Sequence, residues 1–290
     1  MLAMIAAAIA AGAPGPQVEP PAIFAPGQIS AVVTGTAPAF MPDGNTVIYE
    51  RDQGPRRDLV EAHRTATGWS PPTALPFPAQ WSYLEPALAP DGSYLIFASN
   101  RPPEGGDRPL DGHWNDKTWP GRGGALWRAE RTASGWSQPK PLPAAINTGG
   151  SVFEPAITGD GSLYFMRPHG TGKFELLRAQ AKAGGYGEPQ PLPFWREGVA
   201  DVDPAAPRDN SYLIFSSGRA GAGKLDLYVA FRRAGGGWGE PIAFPAAVNE
   251  GRSPTDTHIS ADEQTLYFSS GMVIWSTPLQ PILEQLRPQA

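Results

Sequence analysis

A seven-residue pattern recurs along this 290-residue chain and leaves few folds open to it. Its first two copies read Pro38-Ala39-Phe40-Met41-Pro42-Asp43-Gly44 and Pro86-Ala87-Leu88-Ala89-Pro90-Asp91-Gly92. Pro155-Ala156-Ile157-Thr158-Gly159-Asp160-Gly161 and Pro204-Ala205-Ala206-Pro207-Arg208-Asp209-Asn210 follow, and Thr257-His258-Ile259-Ser260-Ala261-Asp262-Glu263 is a degenerate fifth. The aspartates are separated by 48, 69, 49 and 53 residues. Asp-Gly accepts the positive φ of a tight hairpin, so each copy predicts a turn between two strands.

The strand after each turn is apolar: Val47-Ile48-Tyr49, Leu95-Ile96-Phe97, Leu163-Tyr164-Phe165, Leu213-Ile214-Phe215 and Leu266-Tyr267-Phe268. A third strand follows at Leu59-Val60, Leu126-Trp127, Leu176-Leu177, Leu227-Tyr228-Val229 and Val273-Ile274-Trp275. A fourth starts at an aromatic turn, at Gly68-Trp69, Gly135-Trp136, Gly185-Tyr186 and Gly237-Trp238. Four antiparallel strands in about 48 residues make one propeller blade. The chain is therefore predicted to be all-β, a five-bladed β-propeller of four-stranded antiparallel blades. Glycine and proline, 34 of each, supply the turns, and nine Trp, eight Tyr and twelve Phe supply a core, which argues against disorder.

Two irregularities complete the layout. Blade two carries extra residues within about 100–124. Blade five has no fourth strand of its own, but Gln17-Val18-Glu19-Pro20-Pro21-Ala22-Ile23-Phe24 resembles Trp69-Ser70-Pro71-Pro72-Thr73-Ala74-Leu75-Pro76. The N-terminal strand is expected to close the ring by pairing with blade five, which removes exposed sheet edges. The expected boundaries are a signal peptide over 1–13, one propeller over 14–278 and a tail over 279–290.

From about Thr36 to Ser270 these motifs resemble the Pro-Asp type of WD-repeat-like propeller repeats, the TolB-like family. Asn147 and Asn249 resemble that family's linkers between blades. The resemblance implies a propeller and points to envelope scaffolds, ligand-binding domains and propellers joined to hydrolases.

Charge and composition remove several function classes. The net charge of −5 offers no basic excess for phosphates, so nucleic acid is not an expected partner. Without cysteine there is no disulfide, thiol nucleophile or Cys-ligated zinc. The apolar run over residues 1–11, with Ala8-Ile9-Ala10 as a small-x-small site, reads as a secretory segment and implies a periplasmic or extracellular protein; a monomer is expected. It is too short to span a membrane, and no later run reaches 18 apolar residues.

The residue before each repeat's proline begins the innermost strand: Ala37, Glu85, Glu154, Asp203 and Asp256. Four carboxylates round one axis repel, raise one another's pKa, or hold a divalent cation such as Ca2+; otherwise they cap turns or pair with arginines. No other cofactor is expected. Arg51, Arg101, Arg167 and Arg219 recur after the second strand, facing Asp58, Glu175 and Asp226 near the third, whereas Ala125 leaves Arg101 without a partner. The insertion adds Asp111, His113, Trp114, Asp116 and Trp119, residue types that stack on sugars or ligate metals without matching a metal motif. The expected site is a funnel of Glu85, Glu154, Asp203 and Asp256 flanked by Arg101, Arg167, His113 and Trp114. The expected function is a binding or scaffold module for a peptide, glycan or envelope protein at the channel face. The alternative is a glycan or lactone hydrolase using two channel carboxylates, with or without a metal, and no residue is assigned as catalytic.

Overall fold

Each repeat builds one antiparallel sheet, and among the described residues five such sheets stand in a ring. The computed structural model describes residues 18–30, 35–221 and 223–288, so the expected signal peptide lies outside the described residues. The inner strands are Gly35–Phe40, Tyr83–Leu88, Phe153–Ile157, Asp201–Ala205 and Thr255–Ile259, and they neighbour one another round the axis. The second strands are Thr46–Asp52, Tyr94–Ser99, Leu163–Pro168, Tyr212–Ser217 and Thr265–Ser270. The chain is thus a five-bladed β-propeller.

The aspartate of every turn does the same work. Asp43, Asp91, Asp160 and Asp209 each accept the amide two residues on at 2.9 Å through Oδ1, and Asp262 does so at 3.1 Å. The next position has positive φ in all five blades, at Gly44, Gly92, Gly161, Asn210 and Glu263. This Asx-turn chemistry explains why aspartate recurs there. The aromatic residue ending each apolar triad, from Tyr49 through Phe97, Phe165 and Phe215 to Phe268, is buried between blades. Asn147 and Asn249 each bond both backbone groups of a third-strand leucine, Leu126 and Leu227, as a further strand would.

The outer strands are shorter than the sequence suggests: Thr73–Ala74, Lys140–Pro141, Gln190–Pro191 and Ile242–Ala243. Prolines crowd these segments and have no amide to give to a ladder. Blade five takes its outer strand from the N-terminus, with Ala22 opposite Ser276 and Ile23 opposite Trp275. After Pro278 the chain forms a helix, Gln280–Leu286, whose Ile282 and Leu283, with Leu279 before it, pack into the core of blades four and five.

Candidate functional site

All five inner strands contain a register shift against the second strand, between Thr36 and Ala39, Leu84 and Ala87, Phe153 and Ala156, Val202 and Ala205, and Thr255 and His258. At that bulge Ala37, Glu85, Glu154, Asp203 and Asp256 all adopt left-handed backbone, with φ between 48° and 55°. Such a conformation costs an L-residue roughly 1–2 kcal/mol. In four blades proline follows, as a bulge on a strand edge permits. In blade five Thr257 takes that place, and its hydroxyl donates to the Asp203 carbonyl.

The bulge turns the acids toward the axis. Glu154, Asp203 and Asp256, from three successive blades, each present an oxygen within 4.8 Å of the other two. Glu85 Oε2 accepts the Glu154 amide at 2.8 Å, so one blade's acid fastens the next blade's bulge. Burial, then the neighbouring Glu85 and the aspartates, raise the Glu154 carboxyl well above its ordinary value. Burial and Asp256 do the same to Asp203, and burial with the charge of Glu50 does so to Glu85.

Glu50 is a member of this group that the repeat pattern does not reveal. Ala37 leaves the fifth axial position without a carboxylate. Glu50, on the second strand of the same blade, sits close enough to act on Glu85 and is held by Thr36 Oγ1 at 3.0 Å and by the Arg57 guanidinium. The break in the acid series at Ala37 is its one sequence signal. One layer further along the inner strands, His258 shares a narrow space of about 80 Å³ with Ala39, Ala87, Ala156 and Ala205. Burial lowers its pKa to about 4, so the imidazole is neutral there.

Above the acids the funnel opens into a cavity of about 460 Å³ between blades one, two and three. Glu85 lies in its wall, Trp114, Phe153 and Phe174 form an aromatic side, and Arg56, Arg57 and Arg122 bring guanidinium groups. The insertion completes this wall as a hairpin, Gly112–Trp114 paired with Lys117–Trp119. Asn115 and Asp116 make its turn, both with positive φ, the signature of type I′. The hairpin straps across to blade three: the Asn115 amide reaches Gly172 O at 2.9 Å and the Asp116 amide reaches Thr171 O at 2.8 Å. Trp114 stacks on Trp119 with ring centres 5.5 Å apart and meets Phe153 edge-on at 5.9 Å.

The other expected site residues are dispersed. His113 is exposed on the hairpin, with Nδ1 3.3 Å from Thr118 Oγ1. The Arg101 guanidinium lies 4.3 Å above the Trp127 ring, which takes the place of the missing carboxylate. Neither Arg101 nor Arg167 lines the cavity. Across from Arg167, Glu175 is met instead by His169 at 3.2 Å. Arg51 does pair with Asp58, at 3.7 Å, whereas Arg219 turns to Asp201, at 2.9 Å to both oxygens. Arg56, in the loop before Arg57–Thr65, stands outside the repeat pattern, and much of the cavity it lines comes from other blades.

No protein-family model matches the chain, and no curated protein matches it. Solved structures do. TolB from Acinetobacter baumannii aligns with a TM-score of 0.52 at 13% identity, over 84% of this chain and 54% of TolB. The chain therefore spans about half the length of that protein. A thermostable family-43 glycoside hydrolase aligns at 0.57 and 11% identity, over 86% of this chain and 90% of the hydrolase. A protein of unknown function from Dyadobacter fermentans aligns at 0.54 and 14% identity, over 93% and 85% of the two chains. At these identities the likeness is one of fold, shared by TolB and by other propellers.

Proposed function

We propose that the chain is an exported binding module that holds a carboxylate-bearing peptide or glycan segment in the cavity between blades one, two and three. The observation that carries this reading is Arg56. Its Nη1 is buried without a hydrogen-bond partner in the wall of a cavity that also presents Trp114, Phe153 and Phe174. A buried guanidinium nitrogen left unpaired loses solvation without return, and rotation of the Arg56 side chain toward a ligand carboxylate in the cavity supplies the missing acceptor. The aromatic side offers flat apolar surface for a ring or side chain, the mixture common to small-ligand pockets. Among the described residues no helix is long and apolar enough to cross a membrane.

Hydrolysis by the channel acids is less well supported. An inverting pair of carboxyls stands about 6.5–9.5 Å apart to admit water and a retaining pair about 5–5.5 Å, and either must be open to substrate. The oxygens of Glu154, Asp203 and Asp256 lie within 4.8 Å of one another, and the first two residues are only 2% and 3% exposed. Glu85 alone of the four expected axial acids lines the cavity.

The test is a fluorescence titration of the full chain with a uronic-acid oligosaccharide, its carboxyl-reduced neutral counterpart and an acidic peptide. The reading expects one carboxylate-bearing probe to bind. Arg56→Gln or Trp114→Ala should weaken it at least about tenfold, the equivalent of one charge-assisted hydrogen bond. Arg101→Gln, outside the cavity, should leave it unchanged. Failure of every probe to bind, or equal binding by the two cavity variants, would sink this reading.

A further inference from the structure

We infer that Glu154, Asp203 and Asp256 form a binding site for one divalent cation of Ca2+ size on the propeller axis. Three blades each contribute one carboxylate, and their oxygens lie within 4.8 Å of one another. Ca2+ holds oxygen ligands at about 2.3–2.6 Å, so two ligands on opposite sides of one ion stand about 4.6–5.2 Å apart. Three oxygens all at that 4.8 Å limit stand roughly 2.8 Å from a point among them, so side-chain rotations of a few tenths of an ångström bring them to Ca2+ distance.

A second observation concerns Asp203 itself. The residue is 3% exposed, and its Oδ2 is buried and meets no hydrogen-bond donor. Buried polar atoms are almost always satisfied, and an exception calls for an ion or water. The Asp256 amide serves the Asp203 carboxyl but leaves Oδ2 unpaired, and other donors nearby are engaged. The Thr257 hydroxyl donates to the Asp203 main-chain carbonyl, the Arg57 guanidinium is bound to Glu50, and the Glu154 amide is given to Glu85. What remains facing the three carboxylates is negative charge in a setting poor in solvent, where like charges this close cannot all stay ionised unaided. A divalent ion supplies the opposite charge and the ligand that Asp203 lacks. Ca2+ takes roughly six to eight oxygens, so carbonyl groups or water complete its shell.

None of the three acids lines the cavity, whose wall meets them only through Glu85 on the Glu154 amide, and the site does not depend on the ligand proposed there. The chelator-treated full chain is titrated with CaCl2 by calorimetry and followed by thermal unfolding, with NaCl of matched ionic strength as the control. The expected result is one Ca2+ per chain and a Tm rise of about 5 °C when the free ion is about 100 times its Kd. Asp203→Asn and Asp256→Asn, which keep side-chain shape, should each abolish the rise. Absence of binding heat and of any Tm change up to about 10 mM Ca2+, beyond the weakest extracellular sites, would overturn the inference. Binding of undiminished strength in both variants would overturn it equally, by locating the ion elsewhere. If a variant does not fold, the wild-type stoichiometry measured by elemental analysis decides: one ion per chain supports the site and none removes it.

Discussion

Glu50 occupies the gap that Ala37 leaves in the axial series, and it does so as a buried acid. Burial raises its carboxyl from the ordinary 4.5 to about 7, against the opposing pull of Arg57 and the hydrogen bond from Thr36. The folded chain therefore holds a proton that the unfolded chain has already released. The stability that this proton contributes is complete below pH 4.5 and is lost as pH rises through about 7. One such group gives a slope of up to about 1.4 kcal/mol per pH unit. In chelator-treated protein, urea unfolding at pH 5, 6 and 7 should show stability falling with pH, and Glu50→Gln should flatten that fall by about one proton's share. A slope unchanged in the variant would mean that the carboxyl titrates alike in both states. Residues of this kind were the least legible. Glu85, Glu154, Asp203 and Asp256 could be found because a repeat puts them in one place four times over. Glu50, Arg56 and Arg57 belong to no such series, and only the alanine at 37 hinted that an acid was needed from elsewhere.

At the scale of the element, the hairpin inserted into blade two is held by what it crosses. Its turn is local chemistry, Asn115-Asp116 with both φ positive, but its seat is in blade three, where Thr171 Oγ1 donates to Asp116 Oδ1 at 2.8 Å across 55 residues of sequence. That distance explains why the sequence showed an insertion with stackable tryptophans and did not show a strap: the partners Phe153, Gly172 and Phe174 carry no mark of the pairing. The five Asx turns were readable for the opposite reason, since each closes on itself within two residues. Gly112 is the pressure point of the hairpin, because a Cβ there would overlap the Trp114 ring. Gly112→Ala should drive Trp114 from its seat on Phe153 and cost about 1–3 kcal/mol, the usual range for overpacking. Limited proteolysis would report it as new cleavage confined to 110–122, with the blade cores protected. An unaltered digestion pattern would show that the hairpin yields without releasing Trp114.

For the whole molecule, the seam between blades one and five decides whether the ring is closed. Phe24 spans it, edge-on to Phe40 at 5.6 Å and Trp69 at 6.1 Å in blade one and to Tyr267 at 5.1 Å in blade five. Phe24→Ala should lower the unfolding free energy by about 2–3 kcal/mol, somewhat under the roughly 3–5 of a fully buried phenylalanine. Hydrogen exchange should then accelerate first in Val273–Pro278, the strand that pairs with the N-terminal segment. Uniform acceleration over all five blades would mean that the seam has no separate opening. This level was the most legible, because five copies of one motif and a displaced fourth strand already describe a ring. The same seam sets a schedule for biosynthesis. Ser276 bonds the Ala22 carbonyl across 254 residues, so the strand at Ala22 waits for the one at Ser276. At roughly 5–20 residues per second that wait is on the order of 10–50 s. Until residue 276 has been made, the strand at Ala22–Ile23 and the edge of blade five that it covers stand without each other. A ring built this way lacks its fastening until that strand exists, and a chain cut short before residue 276 has no partner for Ala22.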